Sequence, residues 1–213
     1  MMLVAIPLFP RFTALDAVGP YEVFQRIPSI DVKFVGHTRG EVRTENGMLG
    51  VCCDATFDEI DSADVLVVPG GIGTRTLIHD EPILGWLRAL HPTTTFTTSV
   101  CTGALLLTAA GLLDGLTATT HWGAADLLNE LGAHYVPGRV VEHLPERIIT
   151  AAGVSSGIDM ALRLTELLVD RVAAQAAQLL IEYDPQPPFD FGALAKADEA
   201  TKARAEEYRQ QRH

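Results

Sequence analysis

The chain is poor in cysteine, and this scarcity indicates the kind of cellular compartment in which the protein is found. Only three of the 213 residues are cysteines, and two of them, Cys52 and Cys53, are adjacent, so no disulfide framework is predicted. Such sparse use of cysteine is typical of a reducing compartment. The N-terminal residues lack the basic segment and the cleavage site of a signal peptide. We therefore expect a cytoplasmic protein.

Basic side chains and long apolar runs are also scarce. Lysine and arginine total 16 against 27 aspartates and glutamates, which gives a formal net charge of −11. Proteins that bind a phosphate backbone carry basic stripes, so we expect no nucleic-acid partner. The most apolar segment, residues 103–116, is interrupted by Gly111 and Asp114. It is shorter than the roughly 18 apolar residues of a membrane span, so we expect no membrane partner.

The motifs of bound metals and nucleotides are missing as well. The seven histidines show neither HxxxH nor HxH spacing, so no metal site is predicted. The glycine-rich stretch LVVPGGIG, residues 66–73, lacks the lysine of a phosphate loop and the full dinucleotide fingerprint. We therefore predict no cofactor.

What the chain does contain is an alternation of short β-like runs with helical segments. Apolar runs such as MLVAIPLF and ADVLVVPGG are each followed by residues with helical periodicity. This order predicts an α/β fold with a mainly parallel sheet and helices on both faces. Asn46-Gly47 between two β-prone stretches predicts a tight hairpin turn. We expect one domain over residues 1–192 and a charged helical tail over 193–213.

Cys101 lies between the strand TFTTSV and the helix TGALLLTAAGLL. A sharp strand-to-helix turn can lift a nucleophile out of a sheet. A helix N-terminus stabilises negative charge by at most ~2 kcal/mol, or roughly 1.5 pKa units, and we expect it to make much of the thiol ionised. A buried structural cysteine is the equally weighted alternative. For Cys52 and Cys53, in a hairpin strand, the structural role is favoured.

Two other stretches carry polar groups to the same ends of the predicted strands. Gly70 and Gly71 follow the strand LVV, and their backbone N–H groups can bind a developing anion. A plain tight turn is the simpler interpretation of the pair. Asp16, after the first strand, either caps a helix or points into the crevice, and capping is favoured on the sequence alone.

These stretches together resemble one known family. PLFPRFTALDAVGPYEVF, DVLVVPGGIGTRTLI, TSVCTGALLLTAAGLLDGLTATTHW and VSSGIDMALRLTELL are similar, in this order, to the DJ-1/PfpI superfamily. The resemblance covers nearly all of the chain except the tail, and SVCTG…AAGLLDG…ATTHW is its most specific part.

The resemblance implies a flavodoxin-like fold, a homodimer and a small-molecule substrate. It implies that Cys101 is the nucleophile, that Asp16 is its carboxyl partner, and that the backbone N–H groups of Gly71 and Thr102 bind developing anions. Thr102 stands where the protease-like branch has histidine, which argues against a Cys-His protease or amidase. His121, in TTHW, is expected to line the crevice together with Gly70.

Within the superfamily the chain is most similar to the isocyanide hydratase branch. The resemblance implies attack of Cys101 on the terminal carbon of R–N≡C, a covalent thioimidate, and release of an N-substituted formamide by water. Asp16 is expected to be protonated in the resting state, to donate a proton to the substrate and later to help take one from water.

Three alternatives remain open at this point. One is another cysteine enzyme of the same fold, such as a glyoxalase-like hydratase or an amidase. Another is a redox sensor in which Cys101 is oxidised. The last is a regulatory domain related to transcription regulators that has no DNA-binding module, because the chain leaves no room for one.

Overall fold

The computed structural model describes residues 1–211, and its elements follow the predicted alternation. The strands are β1 Met2–Pro7, β2 Ile30–Gly36, β3 Gly40–Arg43, β4 Gly50–Cys53, β5 Ala55–Thr56, β6 Val65–Val68, β7 Phe96–Val100, β8 Thr117–Ala118, β9 His134–Tyr135, β10 Val140–His143 and β11 Ile148–Ala151. The helices are α1 Ala14–Phe24, α2 Thr74–Leu77, α3 Glu81–Leu90, α4 Gly103–Ala109, α5 Ala125–Glu130, α6 Ser156–Leu168, α7 Arg171–Leu180 and α8 Glu199–Gln211.

The main sheet has seven strands in the order β10-β11-β7-β6-β1-β2-β5. Neighbouring strands are parallel except for β10, which runs antiparallel to β11. The central strand β6 is buried along its whole length, as expected for a strand covered on both sides. This is the flavodoxin-like α/β architecture predicted from the sequence.

The order of the strands places the site. After β1 the chain adds β2 on one side and then returns to add β6 on the other side of β1. Such a switch point leaves a crevice outside the carboxyl ends of the strands. Val68 in β6 pairs with Ser99 in β7, so these two strands end side by side. Ala151 in β11 pairs with Val100, which brings the end of a third strand to the same edge.

The helices form two groups around the sheet. Helices α1, α6 and α7 contact one another, while α4 contacts α2, α3 and α5. The ends of two helices show ordinary capping: Asp80 accepts a hydrogen bond from the Ile83 N–H at 3.1 Å, and Asp170 accepts one from Ala173 at 2.8 Å. Helix α4 is apolar all round and buried, since Leu105, Leu106 and Leu107 are all inaccessible to solvent.

Two local predictions differ from the structure. The hairpin of β3 and β4 is present, but its connection spans the six residues 44–49 rather than a two-residue turn, and Gly47 supplies a positive φ of 71° within it. The segment LTATTHW forms only the two-residue strand β8, which pairs with β9 outside the main sheet. The reason is that residues 119–121 turn toward Cys101 instead of continuing the strand, as the site shows.

The chain divides into two units, Met1–Ile181 and a second that begins at Glu182. The first contains the whole sheet and α1–α7. The second contains α8, whose described side chains are all at least partly exposed. The predicted boundary at residues 192 and 193 lies within the second unit. Within residues 1–211, no helix combines the length and the apolar character needed to cross a membrane.

Candidate active site

Cys101 occupies a strained turn between β7 and α4. Its φ is +56°, a value that residues with a side chain rarely adopt outside functional turns. Its backbone N–H is shared between the carbonyls of Ala151 and Ala152, at 3.0 and 2.9 Å, and its carbonyl accepts a hydrogen bond from the Thr120 hydroxyl at 2.8 Å. The neighbouring segments therefore hold both backbone groups of the turn in place.

The turn can form only because Gly103, two residues after Cys101, has no side chain. A Cβ atom on Gly103 would lie 2.1 Å from the carbonyl oxygen of Val68, so any side chain there would collide with the end of β6. The sequence signal of a cysteine followed two residues later by glycine thus has a steric cause. The Cys101 side chain is only slightly accessible, with 5% of the residue exposed.

Asp16 is fully buried beside this thiol. It lies in the first turn of α1, but the N-cap residue of that helix is Thr13, so Asp16 does not cap it. Its Oδ2 atom accepts a hydrogen bond from the Gly70 N–H at 2.9 Å. Its Oδ1 atom is buried and has no hydrogen-bond partner of standard geometry in the described structure. The carboxyl thus points into the crevice, and one of its oxygens remains available.

Burial shifts the protonation of both groups in the same direction. Loss of water raises the pKa of Asp16 to about 8, although the Gly70 N–H and the Cys101 thiol act against this rise. Burial and the Asp16 charge raise the pKa of the Cys101 thiol well above its ordinary value. The expectation that the helix N-terminus alone would ionise much of the thiol is therefore wrong, because desolvation outweighs it. Both shifts favour the protonated forms of the two groups, and the protonation of Asp16 at rest stays a prediction.

The two backbone N–H groups that act on the sulfur come from Thr102 and Val154, and both lower the pKa of Cys101. Val154 was missed in the sequence. It lies just after β11, next to β7 in the sheet, and its φ of +36° is strained for a β-branched residue. Val154 could have been found only from the order of the strands, since the loop after β11 reaches the same edge of the sheet as Cys101. The sequence alone does not reveal which strands are neighbours.

The Gly70-Gly71 loop has a different task from the one predicted. The Gly71 N–H donates to the Thr102 hydroxyl at 2.8 Å, and that hydroxyl in turn donates to the Gly71 carbonyl at 3.1 Å. The Gly70 N–H is engaged by Asp16. Neither amide is therefore free to bind an anion, which corrects the expectation for Gly71 and Gly70. The loop positions the acid and Thr102 instead.

Both glycines are required by close approach. A Cβ atom on Gly70 would lie 2.5 Å from the Thr102 nitrogen and 2.9 Å from Asp16 Oδ2. A Cβ atom on Gly71, whose φ is +136°, would lie 2.5 Å from the Arg11 carbonyl oxygen. The Gly-Gly pair therefore lets three segments of the chain meet at the site.

His121 lies at the rim, half-buried. Its Nδ1 atom accepts a hydrogen bond from the Gly123 N–H at 3.1 Å, and its ring lies 5.1 Å from that of Trp122. The ring also contacts Gly153, where a Cβ atom would lie 2.7 Å from Cδ2. The residue of TTHW that contacts the Cys101 turn is Thr120. A crevice-lining position for His121 fits this geometry.

A second residue missed in the sequence is Glu45, in the loop between β3 and β4. Its carboxylate accepts a hydrogen bond from the Ile72 N–H at 2.9 Å, and its charge raises the pKa of Asp16. The sequence offered no signal for it, because a glutamate in a polar hairpin loop is ordinary.

Other features of the described residues lie apart from this site. No group of three or more potential metal ligands occurs within residues 1–211. A groove of about 490 Å³ between the turn Phe57–Glu59 and α3 is lined in part by Trp86 and shares no residue with the Cys101 site.

Comparison with known proteins agrees with the fold. The model of the DJ-1/PfpI family matches residues 2–167. Isonitrile hydratase from Pseudomonas putida is 42% identical over 203 residues, which cover 93% of this chain and 88% of that protein. The HTH-type transcriptional regulator CdhR from Pseudomonas aeruginosa is 31% identical over 162 residues, 74% of this chain but only 48% of the regulator.

Among solved structures, a ThiJ/PfpI family protein from Pseudomonas syringae superimposes with a TM-score of 0.92. It is 34% identical, and the match covers 99% of this chain and 86% of that one.

Proposed function

Because the chain belongs to the DJ-1/PfpI family, we propose that it is an enzyme that hydrates isocyanides to N-substituted formamides through Cys101. The similarity to isonitrile hydratase extends over 93% of the chain, and the match to the family model spans residues 2–167, which include Asp16, the loop after β6, Cys101 and Val154. The single observation that carries the proposal is the buried pair of Cys101 and Asp16, in which the thiol and the carboxyl act on each other and the carboxyl has one oxygen without a hydrogen bond of standard geometry.

The burial of the thiol supports a slender electrophile as the substrate. Only 5% of Cys101 is exposed, so a reagent must reach the sulfur through a narrow opening. An isocyanide ends in a single carbon atom on a linear R–N≡C axis and meets this requirement. The substrate is also uncharged, so it can enter a site whose burial disfavours ions.

In the first step the sulfur of Cys101 forms a bond to the terminal carbon. The same carbon receives one proton from the Cys101–Asp16 pair, which gives the thioimidate R–N=CH–S. The N–H groups of Thr102 and Val154 stabilise the negative charge that builds on sulfur as the S–H bond breaks. Asp16, which keeps a proton to about pH 8, is the group that can move it.

In the second step water completes the reaction. Asp16 gives its proton to the imine nitrogen and takes one from the attacking water, whose oxygen bonds to the carbon. The C–S bond then breaks, the sulfur regains its proton, and R–NH–CHO leaves. Water is added and no electrons are exchanged, so the stoichiometry requires neither an oxidant nor a reductant.

The proposal is tested with a panel of aliphatic and aromatic isocyanides and purified protein. We expect formation of the N-formamide, detected by NMR, with no added nucleotide or metal. Cys101→Ala should be inactive, whereas Cys52→Ala, which removes an exposed thiol, should be as active as the wild type. A stalled reaction should add the mass of the isocyanide to the Cys101 peptide. If no isocyanide reacts but methylglyoxal does, the substrate assignment fails.

A regulatory role is the second candidate, and the similarity to CdhR is the observation that favours it. The formal charge of −11 argues against nucleic-acid binding by this chain. We expect no shift of duplex DNA at physiological salt. A salt-dependent shift would favour regulation over catalysis.

We further propose that the enzyme is a cytoplasmic homodimer formed by the first unit. Helix α7 supports an interface, since Val172, Leu179 and Leu180 are exposed by 72%, 79% and 64%. Light scattering should give twice the mass of the chain. A charged substitution, Leu179→Glu, should yield monomers, whereas Met48→Glu in the hairpin loop should not.

A further inference from the structure

The loop after β6 uses three consecutive backbone amides to hold three separate parts of the chain. The Gly70 N–H binds Asp16 on α1, and the Gly71 N–H binds Thr102 at the start of α4. The next amide, that of Ile72, binds the carboxylate of Glu45 on the hairpin. The first two contacts lie inside the site already described. The third comes from outside it and has no part in the proposed reaction.

Glu45 is itself anchored to the segment between β1 and α1. Its backbone N–H donates to the Phe12 carbonyl at 3.2 Å, and Thr44 forms a bridge with Phe12. The Phe12 segment leads directly to Thr13, whose N–H donates to the Gly70 carbonyl at 2.8 Å. The hairpin, the loop after β1 and the loop after β6 are thus joined around Glu45 by backbone and side-chain hydrogen bonds.

We propose that Glu45 is a positioning residue of the Cys101–Asp16 pair. Its carboxylate anchors the loop that holds Asp16 and Thr102, and it brings a negative charge to that loop two residues from the amide that binds Asp16, which disfavours a second negative charge on Asp16. The inference deepens the proposed function, but it rests on the geometry of the pair, and its test does not need isocyanide turnover.

The charged and polar groups around the pair support this role. Burial has the largest effect on the pKa of Asp16, and three groups from separate parts of the chain also act on it: the amide of Gly70, the thiol of Cys101 and the carboxylate of Glu45. Of these, the amide and the thiol lower the pKa and the carboxylate raises it. The groups that act on the thiol are Asp16 and the amides of Thr102 and Val154. Glu45 is therefore the charge from outside the pair that opposes its ionisation.

Two substitutions separate the charge from the hydrogen bond. Glu45→Gln removes the charge but keeps a side-chain oxygen that can accept from the Ile72 N–H. Glu45→Ala removes both. Because less negative charge surrounds the pair, both variants should release its first proton at lower pH. Only the alanine variant should free the Ile72 amide.

The charge is tested through the rate at which iodoacetamide alkylates Cys101, read by peptide mass in a Cys52→Ala background. Between about pH 6 and about pH 10, the profiles of both Glu45 variants should move to lower pH by roughly half a unit. At about 1 M salt the Debye length falls to about 3 Å, so this difference should shrink. Glu41→Gln removes a charge from the same hairpin at a residue that pairs with Arg43, and its profile should match that of the parent.

The anchor is tested by hydrogen exchange of the loop at residues 69–73. The amide of Ile72 should exchange at least several-fold faster in Glu45→Ala than in Glu45→Gln, which should resemble the wild type. Superimposable alkylation profiles of Glu45→Gln and its parent would overturn the proposed effect of the Glu45 charge. Equal exchange of the Ile72 amide in the two variants would overturn the proposed anchoring of the loop. A shifted profile in a protein that converts no isocyanide would leave this inference standing while the proposed function fails.

Discussion

The Oδ2 atom of Asp16 lies 2.9 Å from the backbone nitrogen of Gly70, and this contact joins the first helix to the loop after β6. It fixes one carboxyl oxygen, while the other is buried without a hydrogen-bond partner of standard geometry. A single hydrogen bond between residues 54 positions apart thereby decides that Asp16 serves the crevice and not the end of its own helix.

Asp16 should make the free energy of unfolding depend on pH. Its pKa rises from an ordinary value of 3.8 to about 8 in the folded protein. Between these two values the unfolded chain gives up a proton that the native state keeps, so stability falls as pH rises from about 4 to about 8. One pKa unit corresponds to about 1.4 kcal/mol, so the loss is on the order of several kcal/mol.

Asp16→Asn has no such proton, so the variant should gain stability relative to the wild type as pH rises across that window. Urea unfolding at several pH values measures the difference. The same variant should lose most of its activity, because the amide cannot serve as an acid or a base. Parallel stability curves for the two proteins would contradict the burial of an ionisable group at this position.

The three cysteines should differ in reactivity toward reagents of different size. Cys52 is exposed, whereas Cys53 is buried and burial raises its pKa to about 11. A bulky maleimide at neutral pH should therefore label Cys52 first. Iodoacetamide, which is smaller, should reach Cys101 at a rate that climbs with pH, since burial keeps this thiol protonated. Peptide mapping distinguishes the sites. Faster labelling of Cys101 than of Cys52 below neutral pH would show an ionised thiol instead.

The Thr102 hydroxyl should contribute to stability through its bond to the Gly71 amide. Thr102→Val keeps the shape of the side chain but leaves a buried N–H without an acceptor, which costs about 1–3 kcal/mol. Thr102→Ser is the matched control, because it keeps the hydroxyl and removes only a methyl group. The midpoint of urea unfolding should fall clearly in the valine variant and little in the serine variant. Equal midpoints would show that the hydroxyl is not needed to hold the loop.

Residues after Gly192 should be dispensable for catalysis. All residues of the site lie within the first unit, Met1–Ile181, and α8 buries none of its described side chains. A chain that ends at Gly192 should fold, keep its oligomeric state and retain its activity. Circular dichroism, light scattering and an isocyanide assay would check this. Insolubility or a change of oligomeric state would show that the predicted boundary cuts into a structural element.

The sequence by itself determined the class of the fold and the position of Cys101, the proposed nucleophile, between a strand and a helix. Short apolar runs predict strands and helical periodicity predicts helices, because this choice depends on residues close together in the chain. The joint at Cys101 was visible for the same reason, as was the glycine two residues later.

Only the tertiary structure decided how the groups of the site are arranged. Whether Asp16 caps a helix, whether the amides of Gly70 and Gly71 are free, and which N–H groups reach the sulfur all depend on contacts between distant segments. The sequence suggested an ionised thiol because it displays the helix after Cys101 but not the burial that outweighs it. Val154 and Glu45 came into view only with the strand order and the hairpin, since the free energy of a proton or a hydrogen bond is set by what surrounds it in space.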